Sequence, residues 1–319
     1  MVGKIYGTGS YVPEHVMSND DLAKIVDTSD EWIRERTGIG RRHVIREETT
    51  SYMAGQAAVR AVEQSGIDPA EIDLILVATS SSETIYPCAA CEVQKAVGAV
   101  HAAGYDLNAA CTGFVLAFNT AQAYISAGIY RTVLVIGAES LSTMVDWTDR
   151  GTCILFGDGA GAVLLRAEEG SPVYMAAHSD GVKGKALTLL SRHRRDWEQE
   201  EEKESYIHMD GQAVFKFAVR KVPEIIEEVL GQTDVKLDEI DYFILHQANR
   251  RIIEAVAKRL KTDIAKFPMN LEEYANTSAA TVPVLLDEMN RKGMFHRGQK
   301  IILAGFGAGL TWAACLFEW

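Results

Sequence analysis

The chain repeats its own pattern of acidic turns and apolar runs after an ungapped shift of 168 residues. At that shift residues 71–77 match 239–245, and residues 133–137 match 301–305. Residue identity between the halves is low, but the register holds across most of each half. A fixed period of this kind indicates a duplicated structural unit, which constrains the fold more than any single motif.

Within each half, apolar runs of strand length alternate with segments of helical period. This alternation predicts an α/β fold with a mainly parallel sheet that helices cover on both faces. The duplication then predicts two similar domains, at 1–168 and 169–319, stacked face to face with a shared helix layer. The segment 112–127 is apolar nearly all round, so we predict that it lies in this central layer.

Length and composition exclude several classes of protein. A chain of 319 residues is longer than a single hydrophobic core usually accommodates, and 47% apolar residues indicate a globular protein. With 32 basic and 44 acidic residues, its net charge of −12 argues against nucleic acid and anionic membranes as partners.

The first residues lack the features of a secretory signal, so we expect a cytoplasmic protein. The uncharged stretch 107–130 contains several polar residues, and we interpret it as a buried helix rather than a membrane span.

Comparison of the two halves draws attention to three residues with reactive or polar side chains. The first half carries Cys111 where the second half has an alanine, and the second half carries His246 where the first has an alanine. Asn276 falls on an asparagine of the first half. All three lie near predicted strand-to-helix junctions, where ligands gather in doubly wound sheets. The symmetry therefore predicts that a thiol, an imidazole and an amide meet at one site.

Each of these residues also has a structural interpretation. A thiol at a helix N-terminus has its thiolate favoured by the helix dipole, although a lone cysteine is more often a buried structural residue. His246 is equally consistent with a hydrogen-bonded core histidine, and Asn276 with a helix cap. Taken together, they indicate acyl transfer, in which the thiol holds an acyl group while ring and amide donors polarise a carbonyl.

The order Cys, His, Asn also occurs in papain-type proteases, which are the first alternative. The residues around Cys111 do not match the protease signature, and the repeated α/β pattern belongs to another architecture. Cys88 and Cys91 form a C-x-x-C pair, but a zinc site would need a second pair. Five widely spaced cysteines in a cytoplasmic chain favour free thiols over a disulfide framework. A thiol redox or zinc protein that uses Cys88 and Cys91 is the second alternative.

Two glycine-rich segments, 157–162 and 305–309, fail the dinucleotide and P-loop patterns, so no nucleotide cofactor is indicated. The loop 305–309 is a candidate source of a backbone oxyanion donor. The helix that we expect after Asn249, with that residue as its N-cap, is basic on an acidic protein and is a candidate docking patch for an acidic partner. The mixed-charge run 192–204 is predicted to be an exposed flap.

Six motifs in order make the chain resemble the β-ketoacyl-[acyl carrier protein] synthase III family of the thiolase-like superfamily, over essentially its whole length. The motifs are WIRERTGI (32–39), NAACTGF (108–114), FGDGAGA (156–162), HQAN (246–249), NTSAA (276–280) and GFGAG (305–309). The resemblance implies a duplicated five-layer αβαβα fold, a homodimer and a two-stage Claisen condensation.

The resemblance also assigns roles. It implies that Cys111 takes an acyl group from acyl-CoA, that His246 and Asn276 hold malonyl-acyl carrier protein during loss of carbon dioxide, and that backbone N–H groups of Cys111 and Ala308 form the oxyanion hole. It implies no metal and no cofactor other than the CoA thioester substrate. The remaining implied contacts are to CoA (Trp32, Arg36, Arg150, Gly151, Gln212 and Phe215), to the carrier protein (Gln247, Ala248, Asn249, Arg250 and Arg251) and to the partner subunit's acyl pocket (Tyr86). The basic helix after Asn249 adds Lys258 to the predicted carrier-protein contacts.

Two further alternatives stay open at this stage. A paralogue that makes a specialised metabolite would use the same Cys-His-Asn chemistry. A non-catalytic module would dock a carrier protein without ever forming an acyl-cysteine. The choice between acetyl and branched primers depends on packing across the dimer and is also open.

Overall fold

The computed structural model describes residues 1–190 and 206–319, so the predicted flap at 192–204 lies outside the described residues. The strands are β1 (Val2–Tyr11), β2 (Val16–Ser18), β3 (Arg41–His43), β4 (Leu74–Ala78), β5 (Ala103–Leu107), β6 (Thr132–Ser140), β7 (Asp158–Glu168), β8 (Tyr174–Ser179), β9 (Leu187–Thr188), β10 (His208–Met209), β11 (Tyr242–Leu245), β12 (Lys300–Gly307) and β13 (Thr311–Glu318). The helices are α1 (Asn19–Leu22), α2 (Asp30–Thr37), α3 (Thr50–Ser65), α4 (Ala89–Val97), α5 (Gly113–Ser126), α6 (Gly211–Leu230), α7 (Arg250–Leu260), α8 (Leu271–Tyr274) and α9 (Thr281–Arg291).

Two sheets form the scaffold, and their first four strands follow the same order, while β5 is an additional edge strand of the first sheet. The first has the order β1-β7-β6-β4-β5, and the second has the order β8-β13-β12-β11. In each sheet one strand, β7 or β13, runs against all the others. The sheets are therefore mixed, although most strands point one way as the sequence predicts. The reversal of β13 follows from the short link 308–310, because a tight hairpin joins only antiparallel strands.

The two sheets and their helices stack in five layers. Helices α3 and α4 cover the outer face of the first sheet, α5 and α9 lie between the sheets, and α6 and α7 cover the outer face of the second. Three separate apolar clusters fill the spaces between these layers. The central cluster joins side chains of both sheets to α5, so the predicted central helix and the five-layer αβαβα fold are confirmed.

The 168-residue shift superimposes β4 on β11, α5 on α9 and β6 on β12. It does not extend to β7 and β13, because the first half inserts residues 141–157 where the second half has a tight link. That insertion and the segment around α2 pack on the outer side of the second sheet, through side chains such as Ile33 and Val145. Among the described residues, no helix combines the length and apolar character that crossing a bilayer requires.

Candidate active site

Cys111 and Asn276 lie on two copies of the same tight elbow. In the first, the Asn108 side-chain oxygen accepts a hydrogen bond from the Ala110 N–H at 3.4 Å, and in the second the Asn276 oxygen accepts one from the Ser278 N–H at 2.8 Å. Ala110 and Ser278 both have positive φ, +46° and +49°, which is uncommon for residues with a side chain. A short 3-10 turn and then α5 or α9 follow each elbow. Backbone strain repeated at symmetric positions is typical of functional sites.

The two elbows meet at the carboxyl ends of the central strands. Their 3-10 turns contact each other, and a Cβ on Gly113 would lie 3.1 Å from the Cβ of Ala78, the last residue of β4. A Cβ on Gly307, at the end of β12, would lie 2.9 Å from the Cβ and 3.0 Å from the nitrogen of Cys111. Only glycine permits this approach, which brings the loop carrying Ala308 against the thiol-bearing elbow. In that loop the residue with positive φ is Gly309 (φ +134°) and not Ala308, so the alanine side chain causes no backbone strain.

His246 directly follows β11 and is held from several sides. The backbone N–H of His246 donates to the backbone oxygen of Ala304 at 2.9 Å. The ring Nδ1 lies 2.7 Å from the Thr281 hydroxyl, and the Phe306 ring packs edge-on against the imidazole with 5.2 Å between centroids. The side chain is almost fully buried. Burial lowers the pKa of the imidazole to about 3, so the ring is neutral in the working pH range of enzymes.

Asn276 is held by backbone hydrogen bonds and by the oxygen of its side-chain amide. Its backbone N–H donates to the backbone oxygen of Leu155 at 3.0 Å, and its backbone oxygen accepts from the Gly157 N–H at 3.1 Å. The side-chain oxygen is already used by the elbow, which leaves the amide nitrogen as the donor for a ligand. The segment 155–157 therefore belongs to the machinery that positions this amide.

The thiol of Cys111 is buried, and burial raises its pKa to about 12. The negative charge of Glu139 contributes in the same direction, whereas the Ser278 hydroxyl opposes it. This differs from the thiolate that the sequence predicts at a helix N-terminus. The reason is that loss of solvation outweighs the local dipole when the thiol lies between the two packed sheets.

Glu139 is a buried acid beside the site that the sequence reasoning missed. Its carboxylate accepts hydrogen bonds from the Ser80 N–H (3.1 Å) and from the hydroxyls of Ser80 (2.9 Å), Ser81 (2.5 Å) and Ser278 (3.2 Å). Burial raises its pKa in spite of these donors. An acidic residue inside the apolar run of β6 is the signal that would have found it. Through Ser278 it joins β6 to the elbow of Asn276.

Alkylation of Cys111 by iodoacetamide is expected to accelerate by about tenfold per pH unit between about pH 6 and pH 9, without reaching a plateau. The reason is that the thiolate fraction keeps growing throughout that range when the thiol pKa is near 12. Peptide-resolved mass spectrometry at several pH values measures this, with the exposed Cys91 as an internal reference. A plateau near neutral pH would show a lowered pKa and contradict the expectation.

Three of the residues predicted to bind CoA form one cluster. The guanidinium groups of Arg36 and Arg150 lie over the indole ring of Trp32, at 4.9 and 5.4 Å from its centroid. Gly151 follows in the chain and is exposed. These cation–π contacts form a surface on which two positive charges adjoin an aromatic ring. Such a surface suits a planar ring with phosphates attached.

The other two predicted CoA residues lie on the first turns of α6. Gln212 is exposed, and Phe215 is half-buried with the Arg251 guanidinium 5.6 Å from its ring centroid. Since Arg251 is on α7, this contact joins the predicted CoA surface to the predicted carrier-protein surface.

The predicted carrier-protein segment divides into buried and exposed parts. Gln247 is buried, and its amide bonds to the Leu245 oxygen (2.8 Å) and the Asn270 N–H (3.2 Å), so it does not reach the surface. Asn249 caps α7 as predicted and donates to the Arg36 oxygen, and Ala248 is half-buried. The exposed side chains are Arg251 and Lys258, while Arg250 bonds to the Gly38 oxygen at 3.5 Å.

Tyr86 is 86% exposed on the loop between β4 and α4. The neighbouring Cys88 and Cys91 have their Sγ atoms 3.5 Å apart and are both free thiols. Within residues 1–190 and 206–319 no cluster of metal-ligating side chains accompanies them.

Comparison with known proteins agrees with this geometry. Residues 105–181 match the family model of 3-oxoacyl-[acyl-carrier-protein] synthase III, and residues 230–319 match that of its C-terminal part. The β-ketoacyl-[acyl-carrier-protein] synthase III of Clostridium acetobutylicum is 49% identical, over 99% of this chain and 98% of that one.

Solved structures extend the same result. The 3-oxoacyl-[acyl-carrier-protein] synthase III of Aquifex aeolicus is 43% identical with a TM-score of 0.92, over 99% of this chain and 100% of that one. The priming β-ketosynthase of the R1128 polyketide pathway is 33% identical with a TM-score of 0.94, over 99% and 96% of the two chains. The chain thus belongs to the 3-oxoacyl-[acyl-carrier-protein] synthase III family, the condensing acyltransferases that initiate fatty acid synthesis.

Proposed function

We propose that Cys111, His246 and Asn276 together carry out a decarboxylative Claisen condensation between an acyl-CoA primer and malonyl-acyl carrier protein. The observation that carries the proposal is the meeting of the two symmetric elbows, one holding a thiol and the other an amide donor, beside a neutral imidazole. One half of the duplicated fold supplies the nucleophile, and the other supplies the donors that stabilise a carbanion.

In the first stage the Cys111 sulfur attacks the thioester carbonyl of acyl-CoA. The thiol proton passes to the departing CoA sulfur, so that acyl-cysteine and CoA are formed. The N–H groups of Cys111 and Ala308 stabilise the oxyanion, which the contact of Gly307 with the Cys111 backbone supports. Because the thiol is neutral at rest, its proton must leave as the sulfur attacks.

In the second stage malonyl-acyl carrier protein occupies the same site. Donation from the His246 ring and the Asn276 amide to its thioester carbonyl stabilises the enolate that forms as carbon dioxide leaves. The carbanion carbon attacks the acyl-cysteine carbonyl, a carbon–carbon bond forms, the carbon–sulfur bond to Cys111 breaks, and the departing thiolate takes a proton from water. The products are 3-ketoacyl carrier protein and free enzyme. No metal or cofactor enters the proposal.

The partners follow from the surfaces described above. Acyl-CoA binds through Trp32, Arg36 and Arg150, and the carrier protein docks on the exposed basic side chains of α7. The enzyme works in the cytoplasm as a homodimer. Two features support the dimer: β5 is an open edge of its sheet, and Tyr86 projects from a nearby loop. The boundary near residue 168 between the two duplicated domains is part of the same proposal.

Intact-protein mass spectrometry with acetyl-CoA or isobutyryl-CoA, followed by malonyl-acyl carrier protein, tests the proposal. An adduct mapped to Cys111 that disappears in the chase with formation of ketoacyl carrier protein is expected, and the better primer identifies the acyl class. An adduct that survives the chase would instead favour a specialised paralogue, which the likeness to a polyketide priming enzyme makes the second candidate. No adduct with either primer would contradict the proposal.

Trp32→Ala is expected to raise the KM for acyl-CoA about tenfold and to leave kcat nearly unchanged, because stacking on a base contributes about 1–3 kcal/mol of binding. Steady-state kinetics with the primer varied at saturating malonyl-acyl carrier protein measure this. The KM for the carrier-bound substrate serves as the internal control and should not move. A loss confined to kcat would place Trp32 outside the CoA site.

Lys258→Glu is expected to raise the KM for malonyl-acyl carrier protein by about five- to tenfold at low salt, with a smaller effect at high salt, because exposed charges steer an acidic partner and are screened by ions. The KM for acyl-CoA should stay unchanged. Arg131→Glu, an equal charge reversal in the exposed turn before β6, is the matched control. Equal effects from both variants would indicate a general change in charge and no docking site on α7.

A further inference from the structure

The neutral His246 ring has one proton and two nitrogens, and its proposed role depends on which nitrogen carries that proton. A proton on Nε2 makes the ring a donor toward the thioester carbonyl, whereas a proton on Nδ1 presents a lone pair to the same oxygen. The second arrangement would repel the developing enolate. Something in the site must therefore select the tautomer.

The atom in contact with Nδ1 is the hydroxyl oxygen of Thr281, at 2.7 Å. This hydroxyl has one proton and two acceptors within reach, since the Ser278 oxygen lies at 3.0 Å. The Ser278 oxygen already accepts a hydrogen bond from the backbone N–H of Thr281. Turning the hydroxyl toward His246 consequently leaves no acceptor without a partner.

We propose that Thr281 is a positioning residue whose hydroxyl donates to Nδ1 of His246 and thereby holds the proton on Nε2. The inference rests on the donor role proposed for His246. Both side chains are buried, and the Phe306 ring packs edge-on against the imidazole. Thr281 is the first residue of α9, so the hydroxyl is held by a helix of the central layer.

Thr281→Val removes the hydroxyl with little change in side-chain shape, and Thr281→Ser keeps the hydroxyl. The valine variant is expected to lower the rate of malonyl-acyl carrier protein decarboxylation about 10- to 100-fold, less than the 10²- to 10³-fold loss typical when a donor itself is removed. Its kcat should fall with little change in KM. The rate of Cys111 acylation by acyl-CoA should stay near that of the parent, and serine should restore decarboxylation.

Nitrogen NMR of ¹⁵N-histidine-labelled protein reports the tautomer directly, with the His246 signals assigned from their loss in His246→Gln. The proposal expects a protonated Nε2 and an unprotonated Nδ1 in the parent and in Thr281→Ser. A protonated Nδ1 in the parent would overturn it, and so would normal decarboxylation by Thr281→Val. Failure of the proposed function looks different, because His246→Gln itself would then decarboxylate normally.

Discussion

Cys111→Ala is expected to abolish condensation, with kcat falling by a factor on the order of 10⁶, as is typical when a covalent nucleophile is removed. An alanine side chain has no sulfur to form a thioester and later leave. Intact mass after incubation with acyl-CoA should show no adduct, and product formation from malonyl-acyl carrier protein should cease. The fold should survive, since the substitution removes one sulfur atom from a buried side chain.

The matched control for this variant is Cys315→Ala. Cys315 is also fully buried, on β13, and burial likewise raises its pKa. This variant should still form the adduct on Cys111 and condense, even if it loses stability through the small cavity. Normal condensation by Cys111→Ala would refute the covalent mechanism. Loss of the folded far-ultraviolet spectrum in Cys111→Ala would instead assign the loss of activity to packing.

Asn276→Asp is expected to lower decarboxylation by at least 10²- to 10³-fold, the loss typical of one oxyanion donor. The aspartate keeps the oxygen that accepts from the Ser278 N–H, so the elbow is retained while the amide N–H donor is lost. A carboxylate at that place adds negative charge where negative charge must develop. The experiment measures the rates at which pre-acylated enzyme forms carbon dioxide and ketoacyl carrier protein.

His246→Gln should show the same separation between the two stages. Acylation of Cys111 should remain near the parent rate in both variants, because the proposed oxyanion hole for that stage is built from backbone N–H groups. His178→Gln is the control for the histidine change, since His178 is half-exposed and bonds to Glu228. Equal loss of acylation and decarboxylation in Asn276→Asp would contradict a donor role specific to the second stage.

Much of the architecture could be predicted because the duplication is written in the spacing of apolar runs. Strand and helix periods depend on local residue order, so the register of β4 with β11 and of β6 with β12 is visible without coordinates. The same spacing placed Cys111 and Asn276 on equivalent junctions, since the carboxyl ends of strands collect at one edge of a sheet. The reversal of β13 was missed because strand direction depends on which connection closes into a hairpin, and β7 is reversed as well although the longer segment 141–157 precedes it.

The sequence by itself therefore determined the repeated α/β layers, the family and the residues at its two elbows. The tertiary structure alone decided their electrostatics and their neighbours. Burial between the packed layers raises the pKa of Cys111, lowers that of His246 and encloses Glu139, because desolvation sums over atoms from distant segments. For the same reason only the fold shows that Gln247 is internal and that a hydroxyl from α9 faces His246.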